Sequence, residues 1–371
     1  MRIALVCPYS CTVPGGVQTQ VLGLSRALAE GGDDVAVLAP GDKSAIKGRL
    51  DVQALHGAVF TPVGSAVGVS VNGSRAPVSP WPSTMARTTS ALRAFSPEVV
   101  HVHEPLVPGP SLATLLSPKC PLVGTFHRSG SDRGYRAYGH LLGPFARRLD
   151  AVFAVSEQAR ATAESCVGGL SGRVQIITNG VELQASPGIS PWPTEAPTVI
   201  FVGRHEQRKG LKVLLEAFSR LQADAVLWVL GQGPETGRLR ARFGSQPRIE
   251  WAGAPDDTER ARRLAGADVL VAPSLGGESF GVVLLEAMAG GTAVVASDLP
   301  GYRLAAGGAA RLVAPGDPVA LAAAVSDLLR DEPSRQALVD KGRERARECD
   351  MAAVAGLYRE VYARLRRAGP E

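Results

Sequence analysis

The stretch VELQASPGISPWPTEAPTVIFVGR, residues 181–204, changes character part-way through. Residues 181–197 hold four prolines and show no helical or strand period. Prolines at that density break regular structure, so the segment reads as a linker. Residues 198–204, TVIFVGR, are a β-branched apolar run ending in Gly and Arg, the pattern of a buried strand leaving a sheet.

On both sides of this break the same unit repeats. Upstream, RIALVC (2–7), DVAVLAP (34–40), EVVHVHE (98–104), PLVGTFH (121–127), AVFAVS (151–156) and VQIITNG (174–180) alternate with helical stretches. Downstream, TVIFVGR is followed by AVLWVLG (225–231), RIEWAG (248–253), DVLVAPS (268–274), TAVVAS (292–297) and ARLVAP (310–315). Most of these runs are apolar at consecutive positions, which suits parallel strands covered by helices on both faces. Two strand-helix series with a break between them predict an α/β chain of two doubly wound, Rossmann-like domains. The expected boundaries are 1–180 and 181–351. A last amphipathic segment, MAAVAGLYREVYARLRRA (351–368), has no strand after it, so a helix over about 352–371 is expected to return to the first domain. Ligands of such sheets bind beyond the carboxyl ends of the strands. Two facing domains would line a cleft with strand-to-helix loops.

The bulk properties fit a soluble two-domain protein. The chain has 371 residues, 45% hydrophobic and 20% charged, with a formal net charge of +5. That bias is compatible with anionic ligands such as nucleotides but too thin for nucleic-acid binding. Five cysteines without a CxxC pair predict reduced thiols in a cytoplasmic setting. The apolar run after Arg2 is too short for a signal peptide, and no run of 18 apolar residues suggests a membrane span.

Three loops carry chemistry. CPYSCTVPGGVQTQ (7–20) places Gly15-Gly16 between the first strand and a helix expected from about Val17, where backbone can approach a phosphate. FVGRHEQRKG (201–210) puts Arg204 at a strand end and Lys209 five residues on. A fork and a point charge together suit a diphosphate, although an exposed charge cluster would read the same way. GGESFGVVLLEAMAGG (276–291) sets Glu278 before a helix expected from about Phe280 and Glu286 about two turns inside it. The amides of Ser279, Phe280 and Gly281 fall at the electropositive helix end. Carboxylates flanking that end match a ligand with a diol at each end and a diphosphate in the middle, which is a sugar nucleotide. The competing reading makes Glu286 a buried glutamate paired with Arg204 or Lys209. His101, His103 and Glu104 cluster in HVHE, but no fourth ligand accompanies them, and strand-end packing is favoured over a metal.

With these loops in place, the chain resembles the retaining glycosyltransferases of family four, which have the GT-B fold. The carrying residues are Glu278-x7-Glu286, GRHEQRKG, PGGVQ, TFH ending at His127, AVSE (154–157) and NGV (179–181). Within that family, MRIALVCPYSCTVPGGVQ and HVHEP are most similar to the actinobacterial phosphatidylinositol mannosyltransferases, which use GDP-mannose. The resemblance implies that Gly16 contacts the donor phosphate or sugar, that Arg204 and Lys209 hold the diphosphate, that Glu278 binds hexose hydroxyls and Glu286 the ribose. It implies that His127 lies beside the transferred sugar, that Asp257 and Arg260 are near the base, and that Tyr9 and Gln18 serve the acceptor; Arg128, a departure from the family, is expected to hold an acceptor phosphate.

The donor implied is GDP-mannose or a UDP-hexose, with Mg²⁺ allowed but not required. The acceptor implied is a hydroxyl of a polyol, a lipid or a small molecule, with weak peripheral contact at the inner face of the plasma membrane. The chain departs from its relatives at Cys11-Thr12, where they carry Phe-Asp, and at Arg128, where they carry Thr. It also departs in STMARTTSALRAF (83–95), which offers Arg87 and Arg93 in place of a lysine-rich face. Two further readings are a sugar-nucleotide 2-epimerase of the same fold and a non-catalytic nucleotide-sugar binder.

Overall fold

The computed structural model describes residues 1–13, 15–41, 55–71, 74–116, 120–130, 133–183, 190–221 and 223–368. It divides into two units, residues 1–180 with 351–371, and residues 181–350.

The first unit runs β1 (Arg2–Val6), α1 (Gly16–Glu30), β2 (Asp34–Ala39), β3 (Val59–Pro62), an antiparallel hairpin of β4 (Val67–Val71) and β5 (Ser74–Val78), α2 (Pro82–Phe95), β6 (Val99–His103), α3 (Pro110–Leu116), β7 (Leu122–Phe126), α4 (Arg133–Ala146), β8 (Ala151–Ala154), α5 (Glu157–Cys166) and β9 (Val174–Ile176). Seven strands pair in the order β3-β2-β1-β6-β7-β8-β9, each neighbour parallel. Alternate residues of one strand feed opposite cores: Ile3 and Leu5 pack on one face, Ala4 and Val6 on the other. That double burial is why these strands carry continuous apolar runs.

The second unit runs β10 (Thr198–Val202), a 3₁₀ turn (Gln207–Lys209), α6 (Leu211–Phe218), β11 (Val226–Leu230), α7 (Thr236–Phe243), β12 (Ile249–Gly253), α8 (Asp257–Gly266), β13 (Val269–Ala272), α9 (Val282–Gly290), β14 (Ala293–Ser297), α10 (Pro300–Ala306), β15 (Arg311–Val313), α11 (Pro318–Arg330) and α12 (Glu332–Glu348). Its parallel sheet has the order β12-β11-β10-β13-β14-β15. Again the residues alternate, with Val199 and Phe201 in one core and Ile200 in the other.

The proline-rich segment is anchored to this second unit. The Trp192 amide donates to the Arg262 carbonyl at 2.9 Å, and the Arg262 and Arg263 guanidinium carbons lie 5.0 and 4.3 Å from its ring centroid. Arg263 is buried and neutralised by Glu250 and Glu259, so the indole closes over an ion pair already formed. Residues 184–189 of the segment lie outside the described residues.

The last helix, α13 (Met351–Ala368), belongs to the first unit. Its Val354, Ala355, Tyr358, Val361 and Tyr362 share a core with Val21, Leu22 and Leu28 of α1. No helix among the described residues is long and apolar enough to cross a membrane.

Both sheets reverse their winding direction at one place: between β1 and β6, and between β10 and β13. Backbones diverge there and leave a crevice beyond the carboxyl ends. The loops that follow these four strands carry most of the residues singled out by sequence.

Candidate active site

In the second unit the β10 and β13 loops are joined by their backbones. The Leu275 amide donates to the Arg208 carbonyl at 2.7 Å. Gly210 closes the 3₁₀ turn at φ +69°, and a Cβ there would stand 1.9 Å from the Pro273 carbonyl oxygen. Only glycine permits both the left-handed backbone and that approach.

The joined loops gather charge. Lys209 Nζ lies 2.7 Å from Glu278 Oε1, Arg208 Nη1 lies 3.2 Å from the same atom, and Ser274 Oγ donates to it at 2.9 Å. Ser274 is held in turn by Tyr302, whose hydroxyl is 2.8 Å away and buried. Burial pushes the Tyr302 phenol well above its usual range, so it stays neutral. Arg204 pairs with Glu206 at 3.1 Å, and Arg208 Nε reaches Glu206 at 3.2 Å. Glu206 is 3% exposed while Arg204 is 38% exposed, so the acid anchors the cluster from beneath.

The helix start differs from the sequence expectation. α9 begins at Val282, with Gly281 as its N-cap at φ +112°. Glu286 is therefore the fifth helical residue, just over one turn in rather than two. The cause is local. A Cβ on Gly281 would lie 2.5 Å from the Tyr302 ring, and Phe280 buries its side chain in the core, so the chain stays irregular through Phe280. Ser279, Phe280 and Gly281 thus precede the first turn. Glu286 pairs with Arg260 of α8, which replaces the Arg204 or Lys209 partner considered from sequence. The Glu286 charge holds the Arg260 guanidinium above its ordinary range. Asp257, the first residue of α8, is exposed beside them.

In the first unit the loop after β1 leads to α1, which starts at Gly16. A Cβ on Gly16 would meet nothing within 4 Å, leaving that backbone open to a ligand. Gln18 is buried, and its Nε2 donates to the carbonyls of Ser10 and Val13 at 3.3 and 3.2 Å. It therefore shapes the loop from inside. Tyr9 makes a β-bridge to Val78. Pro14 lies outside the described residues.

The β6 and β7 ends carry the histidines. His101 and His103 point to one face and stack with centroids 4.3 Å apart. His101 is fixed by the Tyr362 hydroxyl at Nδ1 (2.6 Å) and by Thr125 at Nε2 (2.7 Å). His103 Nδ1 lies 2.8 Å from His127 Nε2. Glu104, at φ +48°, accepts the His127 and Arg128 amides at 2.6 and 2.7 Å on one oxygen. The HVHE cluster thus uses its side chains on Tyr362, Thr125, His127 and the backbone after β7. Burial holds His101 and His127 down to about 3 and raises the Glu104 carboxyl. Arg128 lies over the Tyr135 ring at 4.2 Å and donates to the Gly130 carbonyl.

Arg208, Glu206, Ser274, Glu104 and His103 emerge as site residues only here. Sequence offered a run of alternating charge for the first two, the HVHE cluster for Glu104 and His103, and no signal for Ser274.

Two parallel sheets each with a switch point, and a loop pair gathering cations and a carboxylate, define the GT-B class of glycosyltransferase. The fold likeness is direct. Sucrose-phosphate synthase from Thermosynechococcus elongatus superposes with a TM-score of 0.75 at 22% identity, over 99% of each chain. Anabaena Alr3699/HepE, solved in complex with UDP and glucose, gives 0.75 at 17%, over 98% of this chain and 100% of that one. Residues 14–185 match Glycosyltransferase Family 4, and residues 196–331 match Glycosyl transferases group 1.

The phosphatidyl-myo-inositol mannosyltransferase of Mycolicibacterium smegmatis is 37% identical across 100% of this chain and 95% of its own. That of Mycobacterium leprae is 36% identical across 100% and 98%. That of Propionibacterium freudenreichii is 36% identical across 81% and 78%. The chain belongs to glycosyltransferase family 4 and is a glycosyltransferase. The three relatives are named mannosyltransferases, and the epimerase reading finds no support in these comparisons.

Proposed function

We propose that this glycosyltransferase moves mannose, with retention of configuration, from GDP-mannose to a hydroxyl on the inositol ring of phosphatidylinositol. The names of the relatives support mannose as the sugar and phosphatidyl-myo-inositol as the acceptor, and the resemblance given above supports GDP as the nucleotide. The observation that carries the donor assignment is the convergence of Lys209, Arg208 and Ser274 on Glu278. Three donors fill Oε1 and orient the carboxylate, so Oε2 is left to accept from sugar hydroxyls. Arg204, Arg208 and Lys209 supply the charge a diphosphate needs. Glu286 takes the ribose diol, with Asp257 and Arg260 toward the base, and the amides of Ser279, Phe280 and Gly281 meet the phosphates. Gly16 lets backbone approach the donor. Tyr9 and Arg128 serve the acceptor, and Gln18 holds the loop after β1 that carries Tyr9.

Retention in glycosidases uses a nucleophilic carboxylate about 5 Å from its partner carboxyl. Here Glu278 is given to the hexose hydroxyls, so front-face substitution accounts better for the chemistry. The bond from the anomeric carbon to the diphosphate breaks as the acceptor oxygen bonds to the same face. The departing phosphate oxygen takes the acceptor proton, and the cations stabilise its charge. His127, kept neutral by burial, adds no repulsion to the oxocarbenium-like sugar.

The enzyme works at the inner face of the plasma membrane. Exposed Trp81 and the exposed Arg87 and Arg93 of α2 support a weak peripheral contact there.

The test is transfer from GDP-mannose, UDP-glucose and UDP-galactose to phosphatidylinositol vesicles or to free polyols, with the anomeric linkage read by NMR. An α-mannosyl lipid from GDP-mannose alone supports the reading; an inverted product or a UDP-sugar preference overturns it. His127→Ala is expected to bind GDP-mannose as the parent does and to lose at least about a hundredfold in kcat. Full activity in that variant would make His127 structural.

A further inference from the structure

The ring pair His103–His127 shares a proton whose place is constrained by what surrounds each nitrogen. Each neutral imidazole has one N–H and one bare nitrogen. Burial puts His127 down to about 3 and His103 well below its ordinary range, so both are neutral at physiological pH. The 2.8 Å contact between His103 Nδ1 and His127 Nε2 therefore holds one proton, placed on one ring or the other.

If His127 Nε2 were the donor, His103 would have to carry its proton on Nε2. That nitrogen is buried and has no partner among the described residues. A buried donor without an acceptor is rarer in folded proteins than a buried acceptor left underfilled. The small cavity beside His103 is also lined by Thr178 and Asn179, and neither forms a hydrogen bond to that nitrogen. His103 therefore protonates Nδ1 and donates to His127. His127 Nε2 is then an acceptor, and its own proton lies on Nδ1, for which no partner occurs among the described residues.

We propose that His103 is a positioning residue: its Nδ1–H fixes His127 as the Nδ1–H tautomer, making His127 a hydrogen-bond donor toward an oxygen of the transferred hexose. The inference deepens the role given to His127 above and rests on it. The rings that back the pair are themselves fixed. His101 stacks on His103 and is held at both nitrogens, by Tyr362 and Thr125. Glu104 fixes the His127 backbone through its amide. Among the described residues, His103 is the one side chain hydrogen-bonded to the His127 ring, and it selects the proton position there.

The full chain labelled with ¹⁵N-histidine has six histidines, few enough to assign by single variants. Two-bond proton–nitrogen correlation reads which nitrogen of each ring is protonated. The wild-type spectrum is expected to show Nδ1–H for both His103 and His127. His103→Leu should move His127 toward Nε2–H and lower kcat for transfer from GDP-mannose to phosphatidylinositol vesicles by about tenfold or more, with the donor KM unchanged.

His103→Asn places an amide N–H where Nδ1 stood and should restore the rate. His103→Gln places it where Nε2 stood and should not. Wild-type His127 found as Nε2–H overturns the proposal without any variant. So does a folded His103→Leu that keeps both the wild-type rate and the Nδ1–H signal. Undiminished transfer by His127→Ala instead overturns the catalytic role of His127 and the rate effect with it, and the nitrogen spectrum separates that failure from a wrong tautomer.

Discussion

Lys209 Nζ and Glu278 Oε1 stand 2.7 Å apart, joining the β10 loop to the β13 loop through an ion pair that is mostly shielded from water. The lysine side chain is 22% exposed and the carboxylate 9%. A ligand diphosphate entering here meets a cation already positioned by a carboxylate. Lys209→Ala removes one charge-assisted contact, and the GDP dissociation constant is expected to rise about tenfold in calorimetry. An unchanged constant would remove Lys209 from the donor site.

Glu286 pairs with Arg260, and its role as the ribose acceptor makes a sharper forecast than affinity alone. The parent should prefer GDP to 2′-deoxy-GDP, because one hydrogen bond to a charged acceptor is lost, about 1.5–3 kcal/mol. Glu286→Ala should bind both weakly and equally. Discrimination that survives the substitution would place the ribose elsewhere.

Two glycines separate folding from function. At Gly210 an added Cβ meets the Pro273 oxygen at 1.9 Å, and the backbone is left-handed. Gly210→Ala is expected to cost about 2–4 kcal/mol and to lower the melting temperature. At Gly16 the added methyl meets nothing within 4 Å. Gly16→Ala should melt like the parent yet transfer sugar poorly, because the methyl occupies space the ligand needs. Equal melting of the two variants would refute this division.

Acid should weaken the fold through the buried histidines. His101 and His127 titrate near 3 in the folded state against an ordinary value of 6.5, through burial. The unfolded chain binds more protons between those values, so this stability is present above about 6.5 and is lost as pH falls toward 3. Each ring contributes about 1.4 kcal/mol of destabilisation by pH 5.5. The melting temperature should drop between pH 7 and 5.5, and His101→Gln should flatten that limb. A flat parent curve would show that these rings take up protons without unfolding.

The strands were legible because burial on two faces writes itself into consecutive positions: Ile3, Ala4, Leu5 and Val6 each face a core, and so do Val199, Ile200 and Phe201. The start of α9 was legible only to within a residue or two. Gly281 resembles an ordinary helical glycine until Tyr302, far along the chain, is found against it. The Glu286–Arg260 pair spans 26 residues and depends on α8 lying beside α9, which no local period encodes.

Sequence by itself determined the two-sheet architecture and the residue types at the strand ends, since periodicity, prolines and glycines act through local backbone preference and burial. Only the tertiary structure decided the partners. Lys209 belongs to Glu278, Glu286 to Arg260 and His127 to His103, because hydrogen bonds and ion pairs form between atoms that chain crossovers bring within about 3 Å. That proximity is a property of sheet order, and residue spacing along the chain carries no record of it.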